Sequence, residues 1–420
     1  MPLLDLKRNK LGRGERLKFE CMQETTIEPR GRDRALSARR RLKMAESAHA
    51  YVRGNTVKFY EWLMSVEASH LIPEGPPIWI CGDCHIGNLG PVASADGEIE
   101  IQIRDLDQTV IGNPAHDMIR LSLSLAMAAR SSDLPGVTTA LMVEEVIRGY
   151  RQALLGKSAS VKQGDITPVR LVMRQAKERR WRHLAEERIE DVKPEIPLGR
   201  RFWKLSSRER REIDRIFVHE DVRSLVTGLK GRSSKASISV LDAAYWMKGC
   251  SSLGRLRYAI LVGIGKGNRD GFSLIDVKEA ARAAAPRSKN AAMPRDNARR
   301  VVHGAQALSP FLGERMLATK FHNRSVVLRE LMPQDLKFEM EGLSRADAIS
   351  AANLFAAVVG KAHARQMDSK TRREWAHNLS NNHTKTLNAP SWLWTSVVDL
   401  AATHEAAYLN HCRQFANGML

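Results

Sequence analysis

Between residues 35 and 131 the spacing of apolar residues changes twice, and that change limits the folds open to the chain. Apolar positions recur at helical intervals over 35–69, through "LKMAESAHAYVRGNTVKFYEWLMSVEAS", and stop at the Pro-rich "IPEGPP". Next, Ile78-Trp79-Ile80 forms a short apolar run and "EIEIQIRDLD" (98–107) alternates with period two. Both read as strands, with Asp96-Gly97 between them as a hairpin turn. Helical spacing returns after "GNP" (112–114) in "AHDMIRLSLSLAMAARS", where Asp117 falls in the first turn and suits the helix dipole. Helix, antiparallel hairpin and helix in succession place the chain in the α+β class.

Residues 138–230 read as mainly helical and highly charged, and a boundary is expected at "GRSSKA" (231–236). Beyond it, "YAILVGI" (258–264), "GFSLIDVKEA" (271–280) and "SVVLREL" (325–331) read as strands. A loop at 281–297 and a helix through "RRVVHGAQAL" separate the last two. The tail from 344 reads as helical, interrupted at "NNHTKTLNAPS". The expected organisation is a mainly helical lobe over 1–236, a small β-rich lobe over 237–340 and C-terminal helices over 341–420 that pack back on the first. At 420 residues with 43% hydrophobic content, such a chain buries a substantial core.

Lysine and arginine number 66 against 47 acids, a net charge of +19, which favours polyanions such as nucleotides, nucleic acid or an anionic surface. The basic stretches at 30–43, 174–190 and 199–212 carry interleaved acids and read as solvated helical faces. No zinc-finger spacing, RNP signature or basic zipper accompanies them, so a basic nucleic-acid-binding protein stands as an alternative. The longest apolar-rich run (121–129) is too short to span a bilayer, and the first twenty residues carry charges throughout, so no membrane insertion and a cytoplasmic location are expected. Five cysteines, odd in number and mostly isolated, fit a reducing compartment.

The stretch "WICGDCHIGNLGP" (79–91) admits two chemistries. As a C-x-x-C motif, Cys81 and Cys84 would have to open a helix for redox work, yet two glycines and a proline follow. A structural zinc site would need a second pair that the chain lacks. The thiols therefore read as small buried hydrophobes. Phosphoryl transfer asks instead for a carboxylate near the acceptor hydroxyl and an Asn/Asp set for Mg²⁺. Asp83 and Asn88 have the D-x-x-x-x-N spacing, and Asp105 opens "DLDQTVIGNPAHD", with Asp107 on the same face if the chain stays extended. In that reading Asp83 is the catalytic group, and Asn88, Asp105 and Asp107 hold the metal. His85 reads as structural, and Asp117 as a helix cap or a brace for the loop.

"GDCHIGN" followed by "IRDLDQTVIGNPAHD" resembles the "HGDLHPGN … IDFD…GDP..D" pair of aminoglycoside and choline phosphotransferases, in the protein-kinase-like superfamily. Ile80-Cys81 stands where those proteins carry a histidine before Gly-Asp. More of the chain resembles the bacterial family called domain of unknown function 2252: "KMAESAHAYVRG" (43–54), "GDCHIGNLG" (82–90), "RDLDQTVIGNPAHDMIRL" (104–121), "KGCSSLGRLRYAILVGIG" (248–265), "DVKEA" (276–280), "ARRVVHGAQAL" (298–308) and "GKAHARQMD" (360–368). The likeness implies a bilobal kinase-like fold that binds Mg²⁺ and ATP and transfers a phosphoryl group to a hydroxyl of a small acceptor. It makes Gly249 to Gly254 the phosphate-covering loop, with Ser251 at the middle glycine, and Lys278 the lysine that pairs with nucleotide phosphates. Because these follow Asp83 rather than precede it, the implied fold is circularly permuted. Glu279 points to the opposite strand face from Lys278, and no helix glutamate is evident as its partner. A non-catalytic, pseudokinase-like nucleotide-binding module is therefore a further alternative. His363 and Arg365 read as helix packing and surface charge.

Overall fold

The computed structural model describes residues 31–65, 72–157, 166–181, 184, 195–199, 201–248, 254–268, 271–338, 343–380 and 388–417. The helical segment expected over 35–69 is three helices: α1 (Arg32–Met44), α2 (Ala48–Gly54) and α3 (Thr56–Leu63). Polar caps restart the chain each time. The Ser47 side chain accepts from the Ala50 N–H ahead of α2, and Asn55 accepts from the Lys58 N–H ahead of α3.

Strand β1 (Ile78–Ile80) leads through a loop and a single 3₁₀ turn (Ile86–Asn88) into β2 (Leu89–Ala93), which pairs with β3 (Ile99–Ile103). The hairpin turns at Asp96-Gly97, where Gly97 takes φ of +88°. Strand β4 (Val110–Gly112) returns antiparallel to β1. The strand expected over 98–107 thus ends at Ile103. Asp105 and Asp107 lie in a turn, where the Asp107 N–H donates to Asp105 Oδ1 at 3.3 Å. Helices α4 (Ala115–Ser131), α5 (Gly136–Leu154) and α6 (Thr167–Glu178) follow.

The rest of the chain builds a six-stranded antiparallel sheet flanked by helices. Its elements are β5 (Phe202–Trp203), α7 (Ser207–Ile216), α8 (Glu220–Thr227), β6 (Ile238–Trp246), β7 (Arg257–Ile264), β8 (Gly271–Glu279), α9 (Asn297–Leu308), α10 (Pro310–Gly313), β9 (Met316–Phe321) and β10 (Arg324–Glu330). The strand order is β5-β6-β7-β8-β10-β9. Three C-terminal helices complete the chain: α11 (Arg345–Ala364), α12 (Ser369–Asn378) and α13 (Ser391–Asn417). Strand β6 escapes the sequence pattern because its register with β7 shifts between Val240 and Asp242, and such a bulge breaks period-two alternation.

The mixture of helices with antiparallel sheets is an α+β fold. Its largest core joins Val52, Phe59 and Tyr60 to α4 and α5 and then to α11 and α13, so early and late described segments share one apolar interior. A second core covers one face of the six-stranded sheet with Leu36, Ile213 and Val226, from α1, α7 and α8. No described helix is long and apolar enough to cross a membrane.

Candidate active site

The loop after β1 is held by its backbone. Asp117, in the first turn of α4, accepts from the Cys81 N–H at 2.7 Å and the Gly82 N–H at 2.9 Å, so it braces this loop rather than capping its own helix. Behind it runs a buried chain of hydrogen bonds. His363 Nε2 meets Asp117 Oδ2 at 3.1 Å, Tyr150 Oη meets His363 Nδ1 at 2.8 Å, and Trp375 Nε1 donates to Tyr150 Oη at 3.3 Å. One assignment satisfies every member: a neutral imidazole donates from Nε2 to the carboxylate and accepts the Tyr150 proton at Nδ1. Gly82 takes φ of +74°, and a Cβ there would collide with the Gln108 carbonyl, so the position demands glycine twice over. His363, expected to be mere packing, is fully buried and positions the loop.

Helix α4 also supplies Arg120, one turn beyond Asp117. Its Nε donates to Asp83 Oδ1 at 2.9 Å and its Nη2 to the Val52 carbonyl at 2.7 Å. Asp83 is buried, and burial pushes its carboxyl up while Arg120 opposes the shift. Asn88 turns its amide NH₂ toward the Asp83 carbonyl at 2.9 Å, which leaves Oδ1 as an acceptor. His85 is 5% exposed and kept neutral by burial and then by Arg53. Its Nε2 stands 3.9 Å from Asp83 Oδ2, too far for a hydrogen bond. Cys81 and Cys84 sit in the apolar core, where the hydrogen bond to Cys84 and burial raise the Cys81 thiol well above its ordinary range.

From the sheet, Lys278 on β8 reaches the turn after β3, with Nζ 2.5 Å from Asp107 Oδ2 and 3.5 Å from Asp105 Oδ1. Burial would raise the Asp105 carboxyl, but Lys278 and then Arg257 outweigh it and hold Asp105 below the usual carboxylate range. Asp107, under burial and the Asp105 charge, moves the opposite way. Glu279 faces elsewhere, taking the Leu256 N–H and Arg324. Arg300 of α9 clamps this turn from behind by donating to the backbone carbonyls of Thr109, Asp107 and Ala281.

Asp83, Asn88, Asp105, Asp107 and Lys278 all line one cavity of about 620 Å³, a volume typical of small-ligand sites. Nine lysines and arginines border it against four aspartates. Gly254 lies just before β7 in a left-handed conformation with φ of +94°. Gly249 and Ser251, expected in the phosphate-covering loop, lie outside the described residues. Among the described residues no three His, Cys, Asp or Glu side chains form a metal cluster. The oxygens that converge come from Asp105 and Asp107, with the Asn88 amide on the same cavity.

A family model described as an uncharacterized protein conserved in bacteria, domain of unknown function 2252, matches residues 32–414. The chain belongs to this family. No curated protein and no solved structure matches it. The matched span takes in every residue that lines the cavity and also Arg120, Arg300 and His363, buried behind it, which the spacing of motifs alone missed or undervalued. The available signal was a lone charged or titratable residue inside an otherwise apolar helix, as Arg120 is in "MIRLSLSLAMAA".

Proposed function

We propose that this member of the family is a Mg²⁺-dependent phosphotransferase of permuted, kinase-like architecture, moving the γ-phosphoryl group of ATP to a hydroxyl of a small acceptor. One observation carries the reading: Lys278, delivered by the sheet, meets Asp105 and Asp107 in the same cavity that Asp83 and Asn88 line. Chain order supports it further. Lys278 lies on the third strand of the β6–β7–β8 meander, the position a nucleotide-phosphate lysine takes in a kinase-like small lobe. In chain order residues 249–254 come between β6 and β7, where a phosphate-covering turn belongs. The catalytic-loop residues precede all of these, hence the permutation.

Hard oxygen donors suit Mg²⁺: the Asp105 carboxylate, kept ionised, Asp107 and the free Oδ1 of Asn88. Bound there, the ion would neutralise charge on the β- and γ-phosphate oxygens. Lys278 would add a point charge on the phosphates. Asp83, whose buried carboxyl has a raised proton affinity, would orient the acceptor hydroxyl and take its proton. As that hydroxyl oxygen bonds to the γ-phosphorus, the bond to the bridging oxygen breaks and ADP leaves. Arg120 would keep the Asp83 carboxylate aimed, and Asp107 would release Lys278 to the phosphates.

The test is calorimetry of ATP with and without Mg²⁺ on the wild type, Lys278→Ala and Asp105→Ala. Magnesium-dependent binding that is lost in both variants is the expected result. No binding at millimolar ATP removes the reading. Binding without turnover in the wild type, unchanged by Asp83→Asn, would make the chain a nucleotide-binding module instead.

A further inference from the structure

We propose that the open edge of β9 takes an acidic, extended peptide segment of a partner protein as an added antiparallel strand. The turn between β9 and β10 fixes which backbone groups face outward. It consists of His322 and Asn323, with φ of 46° and 63°, and is flanked by the pair Phe321–Arg324. In such a hairpin the flanking pair exchanges both backbone hydrogen bonds. Alternation then makes Thr319–Val326 and Leu317–Leu328 bonded pairs as well, and turns the N–H and C=O groups of Ala318 and Lys320 away from β10. Among the described residues none bonds to these groups, since β9 ends the strand order of the sheet.

The opposite edge of the sheet is finished differently, by β5, which has only two residues, both buried. Strand β9 has six, and helices stand on either side of it. Leu317 and Phe321 pack with α7 and α8, whereas Met316 and Ala318 pack with α9. Between these layers, along Ala318, Thr319 and Lys320, lies a slot of about 330 Å³ that shares no bordering residue with the cavity at Lys278. An unpaired strand edge between two helical layers is a setting for strand addition, in which backbone hydrogen bonds supply affinity and side chains supply choice.

Charge makes that choice here. Arg215 and His219 border the slot from α7 and the turn after it, Arg299 from α9 and Lys320 from β9, and all four are exposed. Asp296 is the carboxylate that borders it, and the Ser325 hydroxyl and the Arg299 N–H already engage it as the cap of α9. Arg215 has Glu212 at 3.2 Å, whereas Arg299 and Lys320 form no ion pair among the described residues. A second copy of this chain is a poor occupant, because pairing β9 with itself would gather Lys320 and Arg299 of both copies. An acidic strand is complementary. Directly opposed residues of an antiparallel pair carry their side chains on one face, so those bonded to Ala318 and Lys320 present theirs to Lys320 and Arg299. Carboxylates belong at these alternate positions. A nucleic-acid strand would meet the cations but has no alternating row of N–H and C=O groups to give the edge.

The experiment is calorimetry of the full chain with a blocked peptide as long as β9, of alternating glutamate and valine. Two further forms carry N-methyl groups on the glutamate nitrogens or on the valine nitrogens. The parent peptide should bind, and methylating the glutamates should weaken it at least about tenfold, because their N–H groups are the ones that meet β9. Methylating the valines should change affinity less than about threefold, since those groups point to solvent. The Arg299→Glu/Lys320→Glu double variant should lose at least about tenfold in affinity for the parent peptide. Ala318→Pro removes an outward N–H and no bond of the β9–β10 ladder, and should also weaken binding. Should that variant fail to fold, the double variant, both of whose native side chains are exposed, carries the test. No binding of the parent peptide, equal binding of the two methylated forms, or wild-type affinity in the double variant would overturn the proposal. A single-stranded oligonucleotide that binds through Arg299 and Lys320 while the peptide does not would make the slot a nucleic-acid contact, and would overturn it equally.

Discussion

Asp83 and Lys278 face one cavity but are held in contrasting ways. The Asp83 loop is fixed by fully buried groups, with Asp117 on two of its amides and Arg120 on its carboxylate, inside the core that α4, α5, α11 and α13 share. Lys278 comes from the other core, and its partners, Asp107 and the 39%-exposed side chain of Asp105, are open to the cavity. Buried, fully satisfied networks rigidify because removing one member strands the rest. An ion pair that borders an open cavity, as Lys278 and Asp107 do at 13% and 18% exposed, can exchange a partner for whatever enters it. The contrast assigns the first region to geometry and the second to ligand.

The largest test of that contrast is Asp117→Ala, which strands two buried amides and His363. A loss of about 3–5 kcal/mol is expected in urea unfolding, since each of the three buried donors left unsatisfied costs about 1–3 kcal/mol. A loss under about 1 kcal/mol would break the comparison, since it would mean that the loop is not held by this group.

Acid is the next probe, because the helical part contains the histidines lowered to about 4: His49, His116 and His404. Their unfolded value lies near 6.5, so the unfolded chain binds more protons between those limits. Stability is therefore fully present above about pH 6.5 and declines as pH falls toward 4. For fully buried His404 the decline is on the order of 2–3 kcal/mol. His404→Leu should flatten the fall of melting temperature over this range, and an unchanged slope would count against that residue as the source.

A smaller effect is expected for Trp375→Phe, which removes the donor at the far end of the network. It should cost about 0.5–1.5 kcal/mol in the same unfolding assay. Lys278→Met should also cost less than Asp117→Ala, because its pair opens onto the cavity and water can reach the carboxylates left behind. If Lys278→Met proved as destabilising as Asp117→Ala, the two regions would not differ as described.

Local spacing singled out Asp83, Asn88 and Asp105, and the family likeness singled out Lys278; all four border one cavity. The hairpin at Asp96-Gly97 and the strand under Lys278 were legible because spacing along a strand is a short-range property. The groups that hold the loop were not. Arg120 finds Asp83 from 37 residues away, Arg300 finds Thr109 from 191 and His363 finds Asp117 from 246. Periodicity reports which face of a helix is apolar, and each of these residues lies on an inward face as a polar exception. Only the folded chain says what the exception is for. Asp105 and Asp107 were placed on a strand that ends at Ile103, and their convergence on Lys278 comes from a turn instead.

The 246-residue separation of Asp117 from His363 acquires a temporal meaning during synthesis. At about 5–20 residues per second, a ribosome would expose the buried carboxylate and its loop roughly 12–50 s before the imidazole that completes the brace. The whole six-stranded sheet emerges in that interval and can fold on its own core, while the loop after β1 waits for α11 to be made. Translation-arrested chains ending before residue 345 should therefore be cut by protease within 78–131 and spared across the sheet. The loop after β1 would thus stay open until α11 closes over it.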